Sequence, residues 1–220
     1  MVLITGGEIV TENHLYILDT KTLEDTAVYE SWYKKMPAAR REKIDRLRFD
    51  KDKRLSLGAG ILIKIGLTRA GAGETEILCS EHGKPYLAGN DDVFFNVSHS
   101  GNLAVCAVSR RQVGVDAEVV RKFDEPLKRH VFNTPPSTDT ECTRLWTVKE
   151  SVMKYFGTGI SLGAKNIHVN MTEPITVTCE GYDTAGLYVI SYAIDNAFVS
   201  VASGFAKFAA PEQVDPRIVI

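Results

Sequence analysis

No run in this 220-residue chain approaches the roughly 18 consecutive apolar residues of a membrane-spanning helix, so no membrane span is expected. Positive charge is not in excess either. The 26 Lys and Arg face 28 Asp and Glu, a net charge of −2, which predicts no bulk attraction to nucleic acid or to an anionic membrane. Cysteine is scarce: Cys79, Cys106, Cys142 and Cys179 lie far apart and form no Cys-x-x-Cys pair. That argues against a zinc site and a disulfide framework, and for free thiols in a reducing cytoplasm. A basic leader is missing too. MVLITGGEIVTENHLYILD starts without positive charge, and Glu8 and Glu12 interrupt its apolar stretch, so no secretory signal is expected there.

What is present is ordinary globular composition, 44% hydrophobic and 25% charged, in a chain long enough to bury a real core as one domain or two small ones packed together. HLYILDT (14–20) reads as a strand. Helices are expected over Leu23–Lys35 and Ala38–Phe49, separated by Pro37, and over Asp50–Ala70. The run RREKIDRLRFDKDKR (40–54) holds eight Lys and Arg against four acids. It is either a solvated face or an anion site. Alternating apolar residues in DVFFNVS, NLAVCAVS and QVGVDAEVV argue for strands of an antiparallel sheet. A short helix and loop are expected at 121–139. A helix follows over Thr140–Phe156, ended by Gly157, and then four more strands from Ile167. Each half has a long helix followed by strands, which makes the class α+β, helices on antiparallel sheet. The two expected subdomains are 1–100 and 101–220.

The candidate chemistry lies in three places. Asp116 and Glu118 stand two apart on an expected strand, so both carboxylates point to one face among apolar neighbours. Adjacent like charges there repel and lose solvation, and a cation such as Mg²⁺ is a natural compensator. Trp146, Glu150 and Lys154 lie at i, i+4 and i+8, on one face of the later helix. Ser98-His99-Ser100 sits between two apolar runs, either as a plain polar turn or as a binding element.

GKPY (83–86), FNVSHSG (95–101), GVDAE (114–118) and WTVKESVMKYFGTGIS (146–161) occur in that order. Together with Arg54-Leu55-Ser56-Leu57-Gly58 on the basic helix, they resemble the 4′-phosphopantetheinyl transferases of the Sfp type. The resemblance covers roughly residues 35–165. Ala117 stands where relatives carry a branched residue, His82 where some carry an aromatic, and the spacer before Trp146 is short and contains PPST.

The resemblance implies two similar α/β subdomains in one chain, a pseudo-dimeric fold acting as a monomer. It implies transfer of 4′-phosphopantetheine from coenzyme A to a serine of an apo acyl or peptidyl carrier protein, releasing adenosine 3′,5′-bisphosphate. The carrier would serve fatty-acid, polyketide or nonribosomal peptide synthesis. The nucleophile belongs to the carrier, so Ser98 and Ser100 need no catalytic role. The implied metal is Mg²⁺, or Mn²⁺, on Asp116, Glu118 and Glu150. Glu150, directly or through water, takes the serine proton, Lys154 holds a phosphate oxygen, and Asp116 completes the catalytic set. Ser98 and His99 contact phosphates from a turn, Lys84 and Pro85 line the adenine side, and Arg40, Lys43 and Arg54 take the 3′-phosphate. Two other readings use the same residues: a metal-dependent phosphatase or nucleotide hydrolase, and a non-catalytic relative that binds coenzyme A or carrier.

Overall fold

A computed structural model describes residues 13–218; the first twelve residues of the stretch considered above as a leader lie outside it. Strand β1 (His14–Asp19) is followed by a 3-10 turn at Thr20–Glu24 and helices α1 (Thr26–Lys34), α2 (Ala38–Asp45) and α3 (Asp50–Arg69). A small hairpin, β2 (Ile77–Cys79) and β3 (Pro85–Leu87), leads into β4 (Phe94–Ser100) and β5 (Leu103–Ser109). The second half runs β6 (Val113–Val119), α4 (Glu125–Val131), α5 (Asp139–Phe156), β7 (Ile167–Asn170), β8 (Thr176–Cys179), β9 (Tyr188–Ile194) and β10 (Ala197–Ser203). A last short strand, β11 (Glu212–Gln213), returns to pair in parallel with β1.

The two halves repeat one plan. In the first, strand, long helix and hairpin give the order β1-β5-β4, with α3 packed on it. In the second, the same sequence of elements gives β6-β10-β9, with α5 packed on it. All these pairings are antiparallel. The α+β class and the doubled architecture expected from the sequence are therefore present.

Period-two alternation sorts the side chains of both sheets. Tyr16, Leu18, Ala104, Cys106 and Val108 belong to the core beneath α3. Their neighbours Leu15, Ile17, Val105 and Ala107 belong to a second layer, with Val113, Val115, Ala117, Val199 and Val201 of the other half. Each buried Val, Leu or Ile contributes about 1.5–3 kcal/mol, so this shared apolar layer joins the halves. On β6 the alternation leaves Gly114, Asp116 and Glu118 on the opposite side, and a Cβ on Gly114 would meet backbone of α5.

Local chemistry moves some expected boundaries. Asp25 accepts from the amides of Ala27 and Val28, so α1 starts after Asp25 rather than at Leu23. Helix α5 starts at Asp139 because Thr138 and Glu141 form a reciprocal capping box, and Gly157 ends it in the left-handed conformation at φ 73°. Ser98, His99 and Ser100 are not a turn: they complete β4, and Gly101-Asn102 makes the two-residue loop, with φ 63° at Gly101. Strand β5, which follows the expected boundary at Ser100, pairs with both β1 and β4.

Candidate active site

Strands β4 and β6 are facing edges of the two sheets, and polar side chains stitch them together. The Asn96 Oδ1 accepts from the Val115 amide at 2.9 Å, and the Ser100 Oγ accepts from the Val119 amide at 3.1 Å. Between them the Ser98 hydroxyl donates to Asp116 Oδ1 at 2.9 Å. All three are alternate residues of β4, so they share a face. The Asn-x-Ser-x-Ser spacing is therefore a seam between the sheets.

Asp116 sits at the centre of that seam and is only 5% exposed. Lys154, reaching from α5, places its ammonium 2.6 Å from Asp116 Oδ1 and 3.0 Å from Ser98 Oγ. Gly114 makes this approach possible. A Cβ there would lie 2.2 Å from the Ser151 carbonyl and 2.3 Å from the Tyr155 amide nitrogen, so only glycine lets α5 lie this close to β6. The other carboxylate oxygen, Asp116 Oδ2, is buried and has no hydrogen-bond partner. An orphaned carboxylate oxygen at such depth is costly unless a further ligand meets it.

Two more carboxylates lie within electrostatic reach of Asp116. Burial first, then the Asp116 charge, pushes Glu150 above the usual carboxylate range, with Lys154 opposing and Glu118 adding. Burial also raises Glu118, against the Arg121 guanidinium, whose Nε lies 2.9 Å from Glu118 Oε1. Among the described residues no three His, Cys, Asp or Glu side chains form a ready-made metal-ligand group. Lys154 and Arg121 instead stand on two of the carboxylates. The donor set nevertheless fits a hard divalent cation: Glu118 and Glu150, raised by burial and by the negative charge of Asp116, and one buried Asp116 oxygen without a partner.

On the first half's side of the seam, burial, then the Lys154 ammonium, and more weakly Lys43, push His99 below the ordinary imidazole range, while Asp52 opposes them. Lys43 therefore stands within electrostatic reach of the seam. Arg40, one helical turn earlier, is half-buried, and burial lowers its pKa. Its stem lies beside Gly60, and no carboxylate pairs with it among the described residues.

Arg54 is not in this group. Two residues along α3 from Asp52 is about 200° around the helix. Arg54 accordingly faces the other way, 3.3 Å from Glu24, in a cleft of about 310 Å³ shared with Leu23, Tyr29, Asp50 and Lys53. The basic run thus splits, with Arg40 and Lys43 on one side and Arg54 on the other. Lys84 lies between the two halves. Its ammonium donates to the Val113 and Tyr155 carbonyls at 3.1 and 2.9 Å, so it is engaged with backbone.

Two residues of the motifs acquire functions not read from the sequence. Asn96 is a stitch of the seam, as above. Lys149, 3% exposed, bonds the Ala164 and Val131 carbonyls at 2.7 and 3.2 Å, and burial lowers its pKa to about 8. A lysine inside an amphipathic helix next to a glutamate looks like surface, and only the packing of α4 and the 3-10 turn at Ala164–Asn166 shows that it is interior.

All four cysteines are free, with Cys79 exposed and the others buried. No helix among the described residues is long and apolar enough to cross a membrane.

Both halves of the chain match known proteins. Residues 25–111 match the family described as 4′-phosphopantetheinyl transferase, N-terminal, and residues 112–202 match the 4′-phosphopantetheinyl transferase superfamily. A 4′-phosphopantetheinyl transferase of Bacillus subtilis is 30% identical over 156 residues, covering 65% of this chain and 70% of the relative. The transferase psf-1 of Bacillus pumilus is 30% identical over 190 residues, 80% of this chain and 81% of the relative. The transferase Sfp of Bacillus subtilis strain 168 is 26% identical over 190 residues, 80% of this chain and 84% of the relative. A seam built on Asp116, a helix carrying Glu150 and Lys154 against it, and matches over both halves lead to one assignment: the chain belongs to the 4′-phosphopantetheinyl transferases of the Sfp type and is a transferase enzyme.

Proposed function

We propose that this enzyme transfers the 4′-phosphopantetheine group of coenzyme A to a serine of an apo acyl or peptidyl carrier protein, in a reducing cytoplasm, with Mg²⁺ or Mn²⁺. The observation that carries the reading is Asp116, with one oxygen held by Ser98 and Lys154 and the other buried without a partner. Asp116, Glu118 and Glu150 would hold the cation, which neutralises pyrophosphate charge when bound.

The chain's own groups supply the rest. The carrier serine oxygen forms a bond to the nearer phosphorus of the pantetheine arm. The bond to the oxygen retained by adenosine 3′,5′-bisphosphate breaks. Glu150, raised above the usual carboxylate range, accepts the serine proton. Lys154 is placed to move from Ser98 and Asp116 to a phosphate oxygen, where it opposes the charge growing on the leaving group. Arg40 and Lys43 form the cationic side for the 3′-phosphate, with His99 beside them as a neutral imidazole that can donate a hydrogen bond. Gly83, Pro85 and the backbone between them are assigned to the adenine side, without the Lys84 ammonium.

The test is incubation with coenzyme A, Mg²⁺ and a panel of apo carrier proteins, read by intact mass. Transfer gives a carrier heavier by one phosphopantetheine. Breakdown of coenzyme A without any gain on a carrier would instead establish a hydrolase.

A further inference from the structure

Lys84 belongs to the first half of the chain, yet both of its hydrogen bonds go to the second. Its Nζ lies 3.1 Å from the Val113 carbonyl, at the start of β6, and 2.9 Å from the Tyr155 carbonyl, in the last turn of α5. Those two elements carry the opposing partners of the site. Asp116 lies three residues beyond Val113, and Lys154 is the neighbour of Tyr155. A single ammonium therefore fixes the end of the helix that holds Lys154 against the strand that holds Asp116.

Three further features serve the same contact. Gln112 Nε2 donates to the same Tyr155 carbonyl. The helix stops there because Gly157 is left-handed, and a Cβ on Gly157 would lie 3.2 Å from Lys84 Cδ, so the lysine stem passes closely over the helix end. A cation at a helix C-terminus also meets the negative end of the helix dipole. No carboxylate pairs with Lys84 among the described residues, so the two carbonyls are what hold its charge.

We propose that Lys84 is a positioning residue that clamps β6 to the end of α5 from the other half of the molecule, setting the Asp116–Lys154 geometry, rather than a ligand of coenzyme A. The inference rests on the transferase reading for its kinetic part and on the fold alone for its structural part.

The test compares wild type with Lys84→Met, Lys84→Arg and Gln112→Ala. Three measurements are made: hydrogen–deuterium exchange, calorimetric titration with coenzyme A in Mg²⁺, and transfer rate at saturating coenzyme A and carrier. For Lys84→Met, amides of 113–119 and 150–157 should exchange about tenfold faster while those of β1 and β5 keep wild-type protection. The saturated rate should fall about tenfold or more, because misplacements near 1 Å are that costly, with coenzyme A affinity changed by less than about threefold. Lys84→Arg, able to reach both carbonyls, should recover part of the rate. Gln112→Ala should move exchange and rate in the same direction by less, and it carries the test if Lys84→Met does not fold.

Lost coenzyme A affinity with unchanged exchange and unchanged saturated rate would overturn the proposal in favour of a ligand role. Faster exchange with an unchanged saturated rate would reduce Lys84 to a purely structural residue. If the wild-type enzyme modifies no carrier, the transferase reading fails separately. Exchange then decides the clamp alone, and wild-type protection at 113–119 and 150–157 in Lys84→Met rejects it.

Discussion

Replacing Gly114 with alanine adds one methyl group at the tightest point of the site. The new Cβ would lie 2.2 Å from the Ser151 carbonyl oxygen, 2.3 Å from the Tyr155 nitrogen and 2.8 Å from the Lys154 carbonyl carbon. All three atoms are helix backbone, so no side chain can swing aside. Ordinary contact begins near 3.4 Å, and α5 must therefore retreat from β6 by about 1 Å. Overpacking of this kind costs about 3 kcal/mol. For a chain of this size that lowers the melting temperature by about 6–12 °C. The same retreat carries Glu150 and Lys154 away from Asp116, and a displacement of about 1 Å at a reacting centre costs about 10²-fold in rate. The assay pairs a thermal melt with phosphopantetheine transfer measured well below the melting temperature of the variant. Gly71→Ala is the control. Gly71, unlike Gly114, has positive φ, at 76°, but nothing lies within 4 Å of its added Cβ, so it should lose only about 1–2 kcal/mol and keep its rate. A Gly114→Ala enzyme with wild-type melting and wild-type rate would refute the account of how α5 is seated.

Asp116→Asn should lower transfer by about 10²–10³-fold, and Mg²⁺ should raise the melting temperature of wild type but not of this variant. That Mg²⁺-dependent gain should fade on acidification at a pH above the ordinary 4.5, because Glu118 and Glu150 are protonated more readily in the fold than in the unfolded chain. Without metal, the folded state binds more protons across that window, so stability rises as pH falls through it, and a melt series with and without Mg²⁺ checks both signs. Glu150→Gln should lose about 10²–10⁴-fold in saturated rate, Lys154→Ala should lose both rate and coenzyme A affinity, and the double mutant should lose less than the two together, as turnover measured in a double-mutant cycle would reveal. Arg40→Ala should shrink the preference for coenzyme A over its 3′-dephospho form by about tenfold, the worth of one charged hydrogen bond, whereas Arg54→Ala, turned toward Glu24, should leave that ratio within about twofold when the two affinities are compared.

Periodicity made the sheets and long helices legible. Alternation in VGVDAEVV placed Asp116 and Glu118 on one face, and i, i+4, i+8 spacing placed Glu150 and Lys154 on another. Motif order then set those two faces toward each other. What alternation could not reveal was which atoms each polar residue would meet. Ser98-His99-Ser100 read as a turn because Gly101 follows closely, and strand and turn residues of that kind look alike until the partner strand is known. Alternation placed Asp116 on a face, but only the approach of α5 over Gly114 shows how deeply it is buried. Lysine carries its ammonium on a long stem, so Lys84 and Lys149 could not be assigned to backbone carbonyls without tertiary packing. The direction of Arg54 was illegible for a simpler reason: a dense basic run does not say which way each side chain looks, and neighbouring positions on a helix look in different directions.

The return of β11 to β1 has a consequence for synthesis. Strand β1 lies between β5 and β11, and Asn13 beside it bonds the Phe205 and Lys207 carbonyls. The Trp32 indole, buried in the first half, donates to the Pro216 carbonyl at 2.9 Å. As the polypeptide emerges from the ribosome, the first half can assemble β1, β4, β5 and α3 once residue 109 is out, but one margin of its sheet stays open until β11 follows. The nascent intermediate thus carries an unpaired strand edge through synthesis of β6 to β10, a hazard for wrong pairing that closes only when β11 docks.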